Sequence, residues 1–108
     1  MMSFATSDPV RVFAALGDGT RLELVARLSH LGDRSIAQLT TGLDVTRQAV
    51  TKHLRVLEDA GVVTCRRVGR ESRFAIRTRT LASARDYLAQ ASAQWDEAIG
   101  RLRASVEE

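Results

Sequence analysis

The hydrophobic positions divide the chain into four helix-like stretches, an alternating stretch and a long final helix. Val10, Phe13, Ala14 and Leu16 recur at helical steps behind Asp8-Pro9, an N-cap followed by a first-turn proline. This spacing predicts a first helix ending at Gly17. Asp18 or Thr20 opens a second, with a stripe of Leu22, Leu24, Val25, Leu28 and Leu31. Gly32-Asp33-Arg34 reads as a loop, and Ser35 caps a short third helix carrying Ile36, Ala37 and Leu39. The next break is Gly42-Leu43-Asp44-Val45, where Asp44 tolerates the left-handed backbone a tight turn needs. Thr46 caps a fourth helix whose inward stripe is Val50, Leu54 and Leu57.

After Gly61 the period changes from helical to alternating. Val62–Val68 is rich in β-branched residues, Gly69-Arg70-Glu71-Ser72 supplies a turn, and Arg73–Arg77 alternates, which predicts a hairpin. Thr80 is the expected cap of the last helix, with apolar positions at Leu81, Ala84, Leu88, Ala91, Trp95, Ala98, Ile99, Leu102 and Val106. Most of these steps alternate three and four, the signature of a heptad seam. Residues 1–7 read as a frayed tail.

The fold class is therefore mainly α with a β-hairpin (α+β), in the order α-α-α-α-β-β-α. At 108 residues it is one domain, 1–108, with residues 80–107 forming a long C-terminal helix. The seam suits a partner chain, so the expected homodimer interface is Phe13, Leu81, Leu88, Trp95, Ile99 and Leu102. In the rival picture the same stripe folds back on the chain's own first helices.

The net charge of +3 says little, but its distribution says more. Between Arg47 and Arg79 there are nine Lys or Arg against three acids; elsewhere there are seven against ten. The outward face of the fourth helix presents Arg47, Gln48, Thr51, Lys52 and Arg55, donors suited to base edges and phosphates. A cationic helix behind a tight helix-turn is how a recognition helix enters a major groove, and a hairpin directly after it is a wing. Arg66, Arg67, Arg70 and Arg73 fall within eight residues of that wing, within reach of phosphate or the minor groove. The candidate DNA-binding set is thus Thr46, Arg47, Gln48, Thr51, Lys52, His53, Arg55, Arg66, Arg67, Arg70 and Arg73. For His53, a phosphate contact and a packing role at the edge of the core are equally good readings.

Other chemistries find no support. One cysteine, Cys65, excludes an internal disulfide and reads as a small half-buried residue. With only His30 and His53 beside it, a structural zinc site is not expected, and neither is a cofactor. No catalytic set or glycine-rich phosphate loop is present, so an enzyme is not expected. No apolar run reaches membrane-spanning length and no signal pattern opens the chain, which makes a cytoplasmic protein the default.

Leu16-Gly-Asp-Gly-Thr-Arg21, the run from Gln48 to Gly61 and the Arg-rich hairpin resemble the ArsR/SmtB family of winged-helix repressors. The likeness covers about residues 8–106 and is most specific from Thr51 to Gly61. Gly19, Thr40 and Asp44 depart from the family's usual proline, alanine and glycine. The resemblance implies a dimeric repressor on a palindromic double-stranded DNA operator, with a small-molecule effector of unknown identity as a further candidate partner. It also implies membership among the relatives without metal sites, since Ser35–Leu43 has no Cys or His and Leu81–Glu108 no His. The alternative function is a winged-helix protein-interaction module without specific DNA binding.

Overall fold

The computed structural model describes residues 8–107. The tail expected over residues 1–7 lies outside them. The elements are α1 (Pro9–Leu16), α2 (Gly19–Leu31), β1 (Arg34–Ser35), α3 (Ile36–Thr40), α4 (Arg47–Asp59), β2 (Val63–Val68), β3 (Glu71–Ile76) and α5 (Thr78–Glu107).

The helix starts follow side-chain capping. The Asp8 carboxylate accepts the Val10 N–H, Asp18 that of Arg21, and Thr46 that of Ala49. Asp18, not Thr20, is thus the cap of α2. Ser35 and Gln38 form a reciprocal capping box at α3. The end of α4 is a full Schellman motif. Gly61, at φ 80°, donates to the Glu58 carbonyl, and Val62 donates to that of Leu57. Val62 and Leu57 are both fully buried there, so the cap is also a hydrophobic contact.

Several expectations are corrected. The left-handed residue of the helix-turn-helix is Gly42, at φ 81°, and not Asp44, because glycine carries no Cβ to oppose that geometry. The buried face of α1 is Val12 and Ala15; Val10 points outward. In α2 only Leu24, Val25 and Leu28 of the stripe are buried, while Leu22 and Leu31 are exposed. The stretch read as a loop contains β1, which pairs antiparallel with β3, Arg34 opposite Phe74. The hairpin is therefore the larger part of a three-stranded sheet ordered β1-β3-β2. Its turn is two residues, not four: Val68 pairs with Glu71, and Gly69 takes the positive φ of 64° that tight hairpin turns favour. Thr80 does not cap α5. The helix starts at Thr78, and Thr80 is buried in its first turn with an unbonded hydroxyl.

The core gathers Val12, Leu24, Leu39, Val50, Leu54 and Leu57 from four helices, with Val63 and Phe74 from the sheet. α5 joins it only through its first turns, where Thr80 and Ala84 are its buried residues. The rest projects away. At thirty residues α5 is about 45 Å long. The chain accordingly extends 66 × 34 × 20 Å, with a radius of gyration of 17.6 Å against about 13 Å for a compact chain of this size.

Candidate nucleic-acid interface

The inward stripe of α4 fixes what its other face can do. Val50, Leu54 and Leu57 are fully buried, so Arg47, Gln48, Lys52 and Arg55 are turned to solvent. Thr46 is exposed, but its oxygen already accepts the Ala49 N–H. Thr51 is half-buried and donates its hydroxyl to the Arg47 carbonyl at 2.8 Å. An unexpected residue ties the end of α3 to α2. Arg27, on α2, donates to the carbonyls of Leu39 at 3.1 Å and Thr41 at 2.6 Å. It thereby satisfies the orphan C-terminus of α3.

The arginines of the wing separate into two groups. Successive side chains on a strand alternate between faces, and the register sets Arg66 opposite Arg73 and Arg67 opposite Ser72. Arg66 and Arg73 share the face turned toward Asp33. There Arg73 Nε donates to Asp33 Oδ1 at 2.5 Å and Arg66 Nη2 to Oδ2 at 3.1 Å, while Arg73 Nη1 reaches Glu71 at 3.1 Å. Arg73 is 23% exposed and Arg66 71%. Arg73 thus braces the wing against the loop before β1, with its guanidinium shared between the Asp33 and Glu71 carboxylates. Arg66 retains an exposed guanidinium. On the other face, Ser72 lines a cleft of about 440 Å³ together with Arg47, Thr51 and Arg70. This cleft lies between α3, α4 and the wing turn. Among the described residues, Arg47, Lys52, Arg55, Arg67 and Arg70 have no acidic partner.

His53 has polar neighbours within the fold. Its Nδ1 lies 3.2 Å from Arg21 Nη1 and 3.8 Å from the Asp18 carboxylate, so the ring faces the start of α2. Arg21 also donates from Nε to the Ala15 carbonyl at 2.5 Å. The Asp18 carboxyl is held below its ordinary range, chiefly by the Arg21 N–H of the helix cap and then by the charges of Arg21 and His53. Cys65 is exposed rather than half-buried. No group of three or more His, Cys, Asp or Glu among the described residues could hold a metal, and no helix there is long and apolar enough to cross a membrane.

The Asp33 brace makes a prediction about pH. The hydrogen bond from Arg73 lowers the Asp33 carboxyl most, and the bond from Arg66 adds to it against the opposing effect of desolvation. A carboxyl depressed on folding contributes stability that is fully present above its unfolded pKa and lost as pH falls through the folded value. Asp33→Asn is therefore expected to flatten the stability curve below about pH 4 and to leave its neutral-pH shape unchanged. Urea midpoints across the acid range check this; identical acid limbs would remove the brace.

Three helices, a recognition helix and a flanking wing define a winged helix-turn-helix domain. Residues 16–66 match the family model described as a helix-turn-helix domain. The chain is 45% identical over 65 residues to the HTH-type transcriptional regulator YuzN of Bacillus subtilis, covering 55% of this chain and 71% of that protein. It is 36% identical over 62 residues to the arsenical resistance operon repressor of Escherichia coli, covering 57% of this chain and 53% of the repressor. It thus spans only about half the length of that second relative. An ArsR-like transcriptional regulator from Rhodococcus superposes with a TM-score of 0.74 at 37% identity, over 88% of this chain and 89% of the other. The chain belongs to the ArsR family of winged helix-turn-helix transcriptional regulators.

Proposed function

We propose that the protein is a homodimeric repressor that occupies a palindromic operator. The observation carrying this reading is the cationic surface shared by α4 and the wing. Arg47, Lys52, Arg55, Arg67 and Arg70 lack acidic partners, and Arg47 and Arg70 converge on one cleft. A cation left unpaired on a folded surface remains available to a polyanion. α4 lies in the major groove, with Arg47, Gln48, Thr51 and Lys52 toward the bases and Thr46 and Arg55 at the flanking backbone. Arg67 and Arg70 take phosphate from the wing, with Arg66 in support. His53 positions α4 against α2.

Dimerisation supplies the second half-site. α5 leaves Leu88, Trp95, Ile99, Leu102 and Val106 exposed along one seam, without support from its own core. Leu81 instead packs on that core, and the Phe13 ring lies 5.7 Å from that of Tyr87 within the chain. The interface therefore runs from Leu88 onward, with α1 at its margin. An exposed heptad seam of this length is the mark of a helix awaiting a partner.

Binding of the full chain to DNA from its own upstream region, by electrophoretic shift, tests the proposal; the absence of any shift favours a protein-interaction module. Two variants refine it. Gln48→Ala is expected to cost about 1–3 kcal/mol on the selected site and to relax one base position. An equal loss on cognate and random DNA ends the base-reading role. Arg70→Ala is expected to reduce the log–log salt slope by about 0.9 per protomer, one phosphate contact. An unchanged slope and affinity would take the wing turn out of the interface.

A further inference from the structure

A groove of about 640 Å³ lies away from the cationic surface, between the end of α2, strand β3 and the start of α5. Its volume falls within the range of small-molecule sites. The floor is apolar, built from Leu28, Ile76, Leu81 and Ala82. Thr78, Leu81, Ala82 and Arg85 follow one another at helical spacing, so a single face of α5 carries the wall from its N-terminus to a guanidinium. Asp33 also borders the groove, but both its oxygens are engaged by Arg73 and Arg66. Arg85 meets only its neighbour Asp86, at 3.3 Å, with both side chains more than two-thirds exposed. Such an exposed pair is weak and readily exchanged for another anion. The groove is thus an apolar trough whose one acid is neutralised and whose mouth holds a replaceable arginine.

We infer that this groove is a binding site for an amphipathic organic anion. Its hydrocarbon body lies along Leu28, Ile76 and Ala82, and its carboxylate accepts hydrogen bonds from Arg85. Burial of the hydrocarbon supplies affinity, and the charge-assisted bonds set orientation and select acids over neutral chains. The site is separate from the α4 face and from the α5 seam beyond Leu88, so it stands whether or not the protein binds DNA.

Decanoate and decanol serve as the probe pair, titrated into the full chain and followed by amide NMR shifts. Decanoate is expected to shift Thr78, Ala82 and Arg85 saturably, with decanol much weaker. Arg85→Gln, which leaves the core untouched, is expected to weaken decanoate by about tenfold, the scale of one hydrogen bond to a charged group. Ala82→Trp fills the trough and is expected to abolish binding while the remaining spectrum stays folded. Equal binding of decanol removes the anion site. Shifts confined to the Gln94–Ala98 stretch, or an unresponsive groove contacted by the second copy's α5, overturn the proposal.

Discussion

Replacing Trp95 by glutamate is expected to yield a monomer that no longer shifts palindromic DNA. Trp95 is 69% exposed in the single chain, near the middle of a seam whose neighbours Leu88 and Leu102 are 55% and 67% exposed. In a two-fold interface each seam residue meets its symmetry mate or a close neighbour. The substitution thus removes two aromatic anchors and brings two carboxylates together in an apolar setting, where an unpaired charge is costly. Loss of one hot spot of this kind costs about 2–4 kcal/mol, or a roughly 30- to 700-fold weaker dimer. DNA binding falls with it. Two recognition helices must span half-sites about 34 Å apart, and a single helix reads too few bases to select an operator. Sedimentation at micromolar concentration checks the first effect and an electrophoretic shift the second. A wild-type protein that sediments as a monomer yet binds its operator tightly would overturn both.

Leu54→Ala is expected to cost about 2–5 kcal/mol, a large part of the roughly 5–15 kcal/mol that holds a domain together. Leu54 is fully buried in the middle of α4 among residues drawn from every layer of the fold. The missing methyl groups leave a cavity that Val50 and Leu57, on the same rigid helix, cannot close. For a domain of this size the melting temperature should fall by at least about 10 °C. Lys52→Ala, on the outward face of the same helix, should leave it within about 0.5 kcal/mol of the parent. Thermal unfolding at equal protomer concentration separates the two. A Leu54→Ala protein that melts with the parent would mean that α4 is not anchored as described.

Much of this architecture was legible because local signals agreed with one another. The caps at Asp8, Ser35 and Thr46 and the α4 stripe each rest on residues within a turn of one another. What escaped required contacts distant in sequence. β1 is two residues with no pattern of its own, visible only once β3 lies beside it. The Asp33 brace joins residues forty positions apart, and Arg27 reaches the helix-turn-helix from twelve positions away. The site was partly readable. The α4 face followed from its stripe, whereas treating the four wing arginines alike overlooked the two-residue period that sends Arg66 and Arg67 to opposite faces. The outward turn of Val10, Leu22 and Leu31 was missed because periodicity assigns a face without saying how wide its buried strip is.

The order of the sheet has a consequence for colloidal behaviour. β3 is enclosed on both sides, so the open margins are β1, only two residues long, and β2, whose exposed stretch runs Thr64-Cys65-Arg66-Arg67-Val68. An open strand margin is a template on which another chain can add its own strand, and short margins and charged side chains are what oppose this. The arginines of β2 therefore oppose strand pairing between molecules in solution. Stripping charge from this strand is expected to lower solubility together with DNA affinity. Any loss of binding in an Arg66 or Arg67 variant should accordingly be read beside its light scattering, where self-association would first appear.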